Sequence, residues 1–181
     1  YILLTIFIAG ASLLTYLIIY VPKFDYIQGR IFSFFNRETG THNFQSDKAI
    51  ESITSGGFFG KGIGEGVLKN RVPEAHTDYI ISVISEEFGV VAIMLILLLF
   101  LIFIYMVFKK ISFETDDRIK LILIGSISLI LMQATIHIGV NIRLFPTTGM
   151  TLPFLSYGGS SIISTSILAG IILNLTKRKI N

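Results

Sequence analysis

From Val90 to Phe108 the chain runs through nineteen consecutive apolar residues. As an α-helix rising about 1.5 Å per residue, that run is roughly 28 Å long, close to the hydrocarbon thickness of a bilayer. Three further stretches, Tyr1–Val21, Leu121–Ile142 and Phe154–Thr176, contain no Asp, Glu, Lys or Arg. Buried helices of a large soluble protein are a poor alternative, because such runs are usually shorter and keep a polar face. The expected fold is therefore all-α, a polytopic transmembrane helical bundle. Its spans fall at about 1–21, 88–108, 121–142 and 157–176, with one large extracytoplasmic loop at about 22–79 in a single membrane domain.

Composition excludes several other classes. Charged residues make up 15% of the 181, and the mean hydropathy is +0.73, whereas a soluble domain carries roughly 25% charge. With no cysteine, a disulfide framework, a thiolate zinc site and a catalytic thiol are all ruled out. A net charge of +3 is too slight to argue for nucleic acid. The chain opens at Tyr1 with no initiator Met and no charged n-region, so it reads as a piece of a longer polypeptide. Two short basic clusters, Lys109/Lys110 with Arg118/Lys120 and Lys177/Arg178/Lys179, follow the second and fourth spans. The positive-inside rule sets both on the cytoplasmic side, C-terminus included. The long loop and the short 143–153 loop then face outward.

Within the long loop, Gly56-Gly57-Phe58-Phe59-Gly60-Lys61-Gly62-Ile63-Gly64-Glu65-Gly66 superficially offers a dinucleotide fingerprint. It lacks the preceding strand and following helix that give such glycines their phosphate-cradling geometry. A flexible or tightly turned segment is the leading reading, ahead of a backbone that approaches a substrate where side chains would not fit. Next comes Val72-Pro73-Glu74-Ala75-His76-Thr77-Asp78-Tyr79. Pro73 disfavours helix just before it, which predicts a helix start near Thr77 or Asp78. Asp78 is then an N-cap, the commoner job of an Asp at a helix start, or a general base kept ionised by the helix dipole, two roles that need not exclude each other. Continuing that helix, Glu86 lies about 80° and Glu87 about 180° around from Asp78, so only Glu86 would line the same cleft. Headgroup-level anchoring explains Glu86 equally well.

On the third span Gln133, His137 and Asn141 recur at i, i+4, i+8. Such a stripe inside a bilayer predicts interhelical hydrogen bonds. No His spacing suggests a dedicated metal site. The segment Ser156-Tyr157-Gly158-Gly159-Ser160-Ser161 breaks the start of the last span and leaves backbone groups available to something polar. Lower in that span, Ser160/Ser164 and Ser166/Gly170 fit small-xxx-small packing.

Taken together, Gly56–Gly64, Pro73-Glu74-Ala75-His76-Thr77-Asp78-Tyr79, Glu86-Glu87-Phe88-Gly89 and Pro146–Ser161 resemble the SEDS (shape, elongation, division and sporulation) family of bacterial peptidoglycan glycosyltransferases. The Pro-Glu-Ala-His-Thr-Asp form is closer to the division branch than to the elongation branch. The resemblance covers nearly the whole chain and implies that its four spans are the last four of about ten. It further implies polymerisation of lipid II into glycan strands at the outer face of the inner membrane. Asp78 would be the catalytic residue, taking the proton of the acceptor 4-hydroxyl. The leaving undecaprenyl pyrophosphate would be met by Lys61, Lys69, Arg71 or a divalent cation such as Mg²⁺ or Mn²⁺. Glu74, His76, Thr77 and Glu86 would orient the substrate, with Ser156, Tyr157, Gly158, Gly159 and Ser160 as the wall. Implied partners are the undecaprenyl-linked glycan, a class B penicillin-binding transpeptidase and other proteins of the division septum. The 181-residue piece alone is expected to be inactive.

The pattern departs from the family's usual one at Tyr79, Ile81, Ser85, His137 and Thr148, and the step from Lys69 to Pro73 is one residue short. These differences blur the division assignment and weaken Lys69 as a binding residue, but leave Asp78 intact. Two other readings stand beside the transferase. A lipid II flippase or transporter would keep its critical charges near the midplane rather than at the outer surface. A non-catalytic scaffold for the transpeptidase would leave Asp78 as only a cap.

Overall fold

The structure is a computed structural model that describes residues 2–35, 41–72 and 74–177. Every element among them is helical. Four helices are long and apolar enough to cross a membrane: Ile2–Tyr20, Ile80–Phe113, Asp117–Asn141 and Gly159–Lys177. The chain divides into two compact units, Tyr1–Phe44 and Gln45–Asn181.

In the first unit, α1 (Ile2–Tyr20) buries none of its residues. Pro22 opens a 3-10 turn at Pro22–Phe24, its missing N–H costing nothing at a helix start. The chain then re-enters helix as α2 (Asp25–Phe35). The boundary between units falls within α3 (Thr41–Gly56).

The second unit is organised by three long helices. α4 (Leu68–Arg71) is a single turn, followed by α5 (Ile80–Phe113), α6 (Asp117–Asn141) and α7 (Gly159–Lys177). Asp116 caps α6 by accepting from Arg118 N–H at 2.9 Å, so the link from α5 is only three polar residues long. Deep in the bundle Val107, Ile119, Leu123, Ile127, Ile130 and Ile172 pack α5, α6 and α7 together. At the other end Ala49, Leu68, Val72 and Ala75 seat α3, α4 and the following turn on Tyr79, Val83 and Val140. The small residues Ser160, Ser164, Ser166 and Gly170 of α7 are exposed, and Thr165 and Ile172 are its buried positions.

α5 is broken. Gly89 has φ 78° and ψ −178°, a conformation essentially restricted to glycine. Such a break strands carbonyls before it and amides after it, which must be satisfied inside a membrane protein. The glycine-rich segment does this with its own backbone. Lys61 and Gly62 N–H donate to the carbonyls of Glu86 and Glu87 at 2.9 and 3.1 Å. Val90 and Val91 N–H donate to the carbonyls of Gly57 and Phe58 at 3.0 and 3.3 Å. Close approach explains the glycines: a Cβ on Gly56 would lie 2.0 Å from Ser85 O, one on Gly60 2.2 Å from Glu87 O, and one on Gly89 2.2 Å from Phe58 O. Of the expected readings, the tightly turned segment is the one observed, and it forms a backbone clamp on a broken helix. Its contacts lie 25 or more residues along the chain, beyond the reach of local composition.

Gly89→Ala in the full-length parent protein should cost more than about 2 kcal/mol, because it combines a glycine-only backbone conformation with a clash against main chain. Gly125→Ala, at a helical glycine with nothing within 4 Å, should be neutral or slightly stabilising. Thermal unfolding of the two variants in detergent, side by side, checks this.

Candidate active site

Asp78 sits in a tight turn ahead of α5. Thr77 and Asp78 N–H both donate to Glu74 O at 3.0 Å, and Thr77 Oγ1 adds a third bond to the same carbonyl at 2.8 Å. Glu74 adopts φ 62° to make that turn. The helix begins at Ile80 with Tyr79 as N-cap, whose own side chain makes no capping hydrogen bond. This corrects the expected helix start at Thr77 or Asp78. A capping contact also comes from another helix. Asn141 Oδ1 on α6 accepts from Ser82 N–H at 3.2 Å and Ser82 Oγ at 2.7 Å, serving the third helical amide as an N-cap side chain does. Its Nδ2 donates to Asp78 O at 3.0 Å and His137 O at 2.9 Å.

The 146–158 segment closes over this turn. Ser156 Oγ donates to Thr77 O and accepts from Leu152 N–H, both at 2.8 Å, and Tyr157 N–H donates to His76 O at 3.1 Å. From α6, His137 Nδ1 donates to Met150 O at 2.8 Å, and Gln133 Nε2 donates to Thr151 O at 2.9 Å and Ser161 Oγ at 3.0 Å. The expected hydrogen-bonding stripe therefore exists, and it ties a loop and a helix start rather than merely two helices. Gly149, at φ 72°, is brought so close to Asp78 that a Cβ there would lie 3.6 Å from Oδ2. The half-buried Asp78 carboxylate thus faces main chain, beside a surface where Glu74, His76, Tyr157, Gly159 and Ser160 are exposed and Gly158 is partly buried.

The family model for FtsW/RodA/SpoVE cell cycle proteins matches residues 1–181. The chain belongs to that family. This is the SEDS family its motifs resemble. Among its curated relatives, "Probable peptidoglycan glycosyltransferase FtsW" of Caulobacter vibrioides is 38% identical over 158 residues, covering 86% of this chain and 40% of the relative. The protein of that name from Geobacter metallireducens is 36% identical over 177 residues, 95% of this chain and 47% of its own. A solved structure described as "Structural coordination of polymerization and crosslinking by a peptidoglycan synthase complex" superposes with a TM-score of 0.71 at 28% identity. It covers 96% of this chain and 47% of that one. The chain thus spans less than half the length of these relatives.

In this SEDS chain the expected site residues separate into two groups. Asp78, Thr77, His76, Ser156 and Tyr157 come together, with Glu74 supporting the turn. Lys61 and Glu86 instead pair with each other at the break in α5, 2.9 Å apart. Glu86 is 2% exposed, and its second oxygen accepts from Val67 and Leu68 N–H, each at 3.0 Å. Its carboxylate is thereby committed to holding the glycine segment and α4. Glu87 also reaches that segment, its Cγ 3.0 Å from where a Gly66 Cβ would lie, although a continuous helix from Asp78 would have pointed it away. Arg71 is exposed at the end of α4; the Lys69 side chain lies outside the described residues. Among the described residues no group of three or more His, Cys, Asp or Glu is arranged to hold a metal ion.

Asn141 and Gly149 are the residues sequence reading missed as site builders. The polar stripe signalled Asn141, but its target 59 residues away was invisible. Asn141→Leu should cost about 2–4 kcal/mol, since it orphans Ser82 N–H and the Asp78 carbonyl in a buried position. Asp78→Asn should leave the melting temperature nearly unchanged, because Asn serves a helix start about as well as Asp does. A thermal-shift comparison of the two variants checks both expectations.

Proposed function

We propose that the whole protein is a peptidoglycan glycosyltransferase that polymerises lipid II into glycan strands, with Asp78 as the general base. The observation that carries this reading is that Asp78, in a family whose relatives bear that enzyme's name, is held half-buried beside Gly149 on a turn fixed from behind by Asn141 and Ser156. In this reading Asp78 accepts the proton of the acceptor N-acetylglucosamine 4-hydroxyl as its oxygen attacks C1 of the growing chain's terminal sugar. The new C1–O bond forms as the bond to the pyrophosphate breaks, with inversion, and the electron pair leaves on the lipid pyrophosphate. Asn141 and Ser156 hold the turn from behind and fix the direction of the carboxylate. His76, Thr77 and Glu74, with the Tyr157–Ser160 wall, orient the sugars. Arg71 and Lys69 are the remaining cations for the pyrophosphate, since Lys61 is engaged by Glu86.

A divalent cation such as Mg²⁺ or Mn²⁺ is proposed beside these cations as a counter-charge to the leaving pyrophosphate. A class B penicillin-binding transpeptidase is the proposed partner, supported by the complex to which the fold is similar. The proposed location is the bacterial inner membrane at the division septum, with the C-terminus cytoplasmic.

Labelled lipid II given to the full-length parent protein with its cognate transpeptidase tests the reading. Asp78→Asn should reduce glycan polymer by more than about 100-fold, the usual scale for losing a general base, while complex assembly survives. Normal polymerisation by the Asn variant would move transport or scaffolding to the front.

A further inference from the structure

We propose that the glycine segment is an interfacial membrane anchor, inserting Phe58, Phe59 and Ile63 into the lipid surface and fixing the depth at which Asp78 sits. These three side chains are 75%, 86% and 80% exposed, although their backbone is held to α5 by four main-chain hydrogen bonds. Apolar groups this large are ordinarily buried when their backbone is this well fixed. The bonding register gives their height. Val90 and Val91, which donate to Gly57 O and Phe58 O, are the first two residues of the nineteen-residue apolar run. That run is about as long as the hydrocarbon layer is thick, so Phe58 and Phe59 lie at its edge, the level at which aromatic rings collect in membrane proteins.

Two further observations point to lipid rather than water as the surroundings. Val91, Met94, Leu95 and Leu98, spaced along one helix face, are each more than half exposed, so an apolar strip runs down the span from the point where Phe58 is attached. The charge next to the phenylalanines is also balanced, since the Lys61 ammonium is paired with the buried Glu86 carboxylate at 2.9 Å. Glu65, beyond the turn closed by Glu65 N–H to Gly62 O at 3.2 Å, is exposed and marks the headgroup side. Because the same clamp grips α5 at Glu86–Val91, eight or more residues beyond Asp78, the anchor sets the carboxylate's height above the bilayer.

The test uses a cysteine-free form of the full-length parent protein carrying Phe59→Cys, labelled with an environment-sensitive fluorophore. The protein is placed in nanodiscs of phosphatidylethanolamine and phosphatidylglycerol. A doxyl group shallow in the acyl chain should quench the probe by about twofold, as expected for a residue at the headgroup–acyl boundary, and aqueous iodide should have little effect. Quenching by iodide and not by the doxyl lipid would put the segment in water, and protection from both would put it under protein. Either result overturns the proposal. Phe58→Cys, at the neighbouring exposed position, should give the same pattern, and a melting temperature equal to the parent's excludes a misfolded probe.

Discussion

A helix interrupted at the membrane edge leaves peptide groups with no neighbour one turn away, and water is scarce where they lie. In this chain that constraint is met at Gly89, and most of the half of the second unit that carries α4 and Asp78 follows from it. Satisfying the stranded groups demands a second backbone at close range, which demands glycines at 56, 60 and 89. Holding that second backbone requires a pin, supplied by Glu86 through Lys61 and the Val67 and Leu68 amides. With the pin in place, α4 is oriented and its Leu68 and Val72 can seat the turn that carries Asp78. A buried carboxylate is costly unless fully paired. Both oxygens of Glu86 are paired, so the residue locks the assembly without leaving an exposed demand for substrate.

The second organising element is the row of amides and imidazole on α6. Its members are one turn apart, and each takes a different client: Gln133 the Thr151 region, His137 the Met150 carbonyl, Asn141 the start of α5. Between apolar helices, van der Waals packing and directional hydrogen bonds together set the orientation, and on α6 the hydrogen bonds are made by this row. The result is a turn whose backbone is held by Asn141, Ser156 and Tyr157, with its carboxylate beside Gly149.

How far the sequence reached depends on how local each determinant is. The four long helices were legible because uninterrupted apolar runs are local signals, and the polar stripe because helical periodicity is. Gly89 carried no comparable mark: it lies immediately before the long apolar run, and a lone glycine in a helical pattern is ordinarily tolerated. Glu86 was half legible. Its place near the membrane surface followed from spacing, but its partners lie 18 to 25 residues upstream. Asp78 was marked by its place before a helix, but the amide 63 residues away that holds its carbonyl at the same helix end was not visible from the sequence. Motif resemblance identified the family where periodicity had identified only a membrane bundle.

The contact between the glycine segment and α5 is main chain against main chain on both sides. In ordinary cores an enlarged residue can be accommodated by shrinking its neighbour, and such pairs allow sequences to drift while preserving shape. Here the neighbour of each glycine is a carbonyl or an amide, with nothing to trim. Lesions at these positions should therefore have no local size-for-size suppressor. Any genetic rescue would have to reroute the chain from a distance, which makes this joint a fixed point around which the rest of the sequence is free to vary.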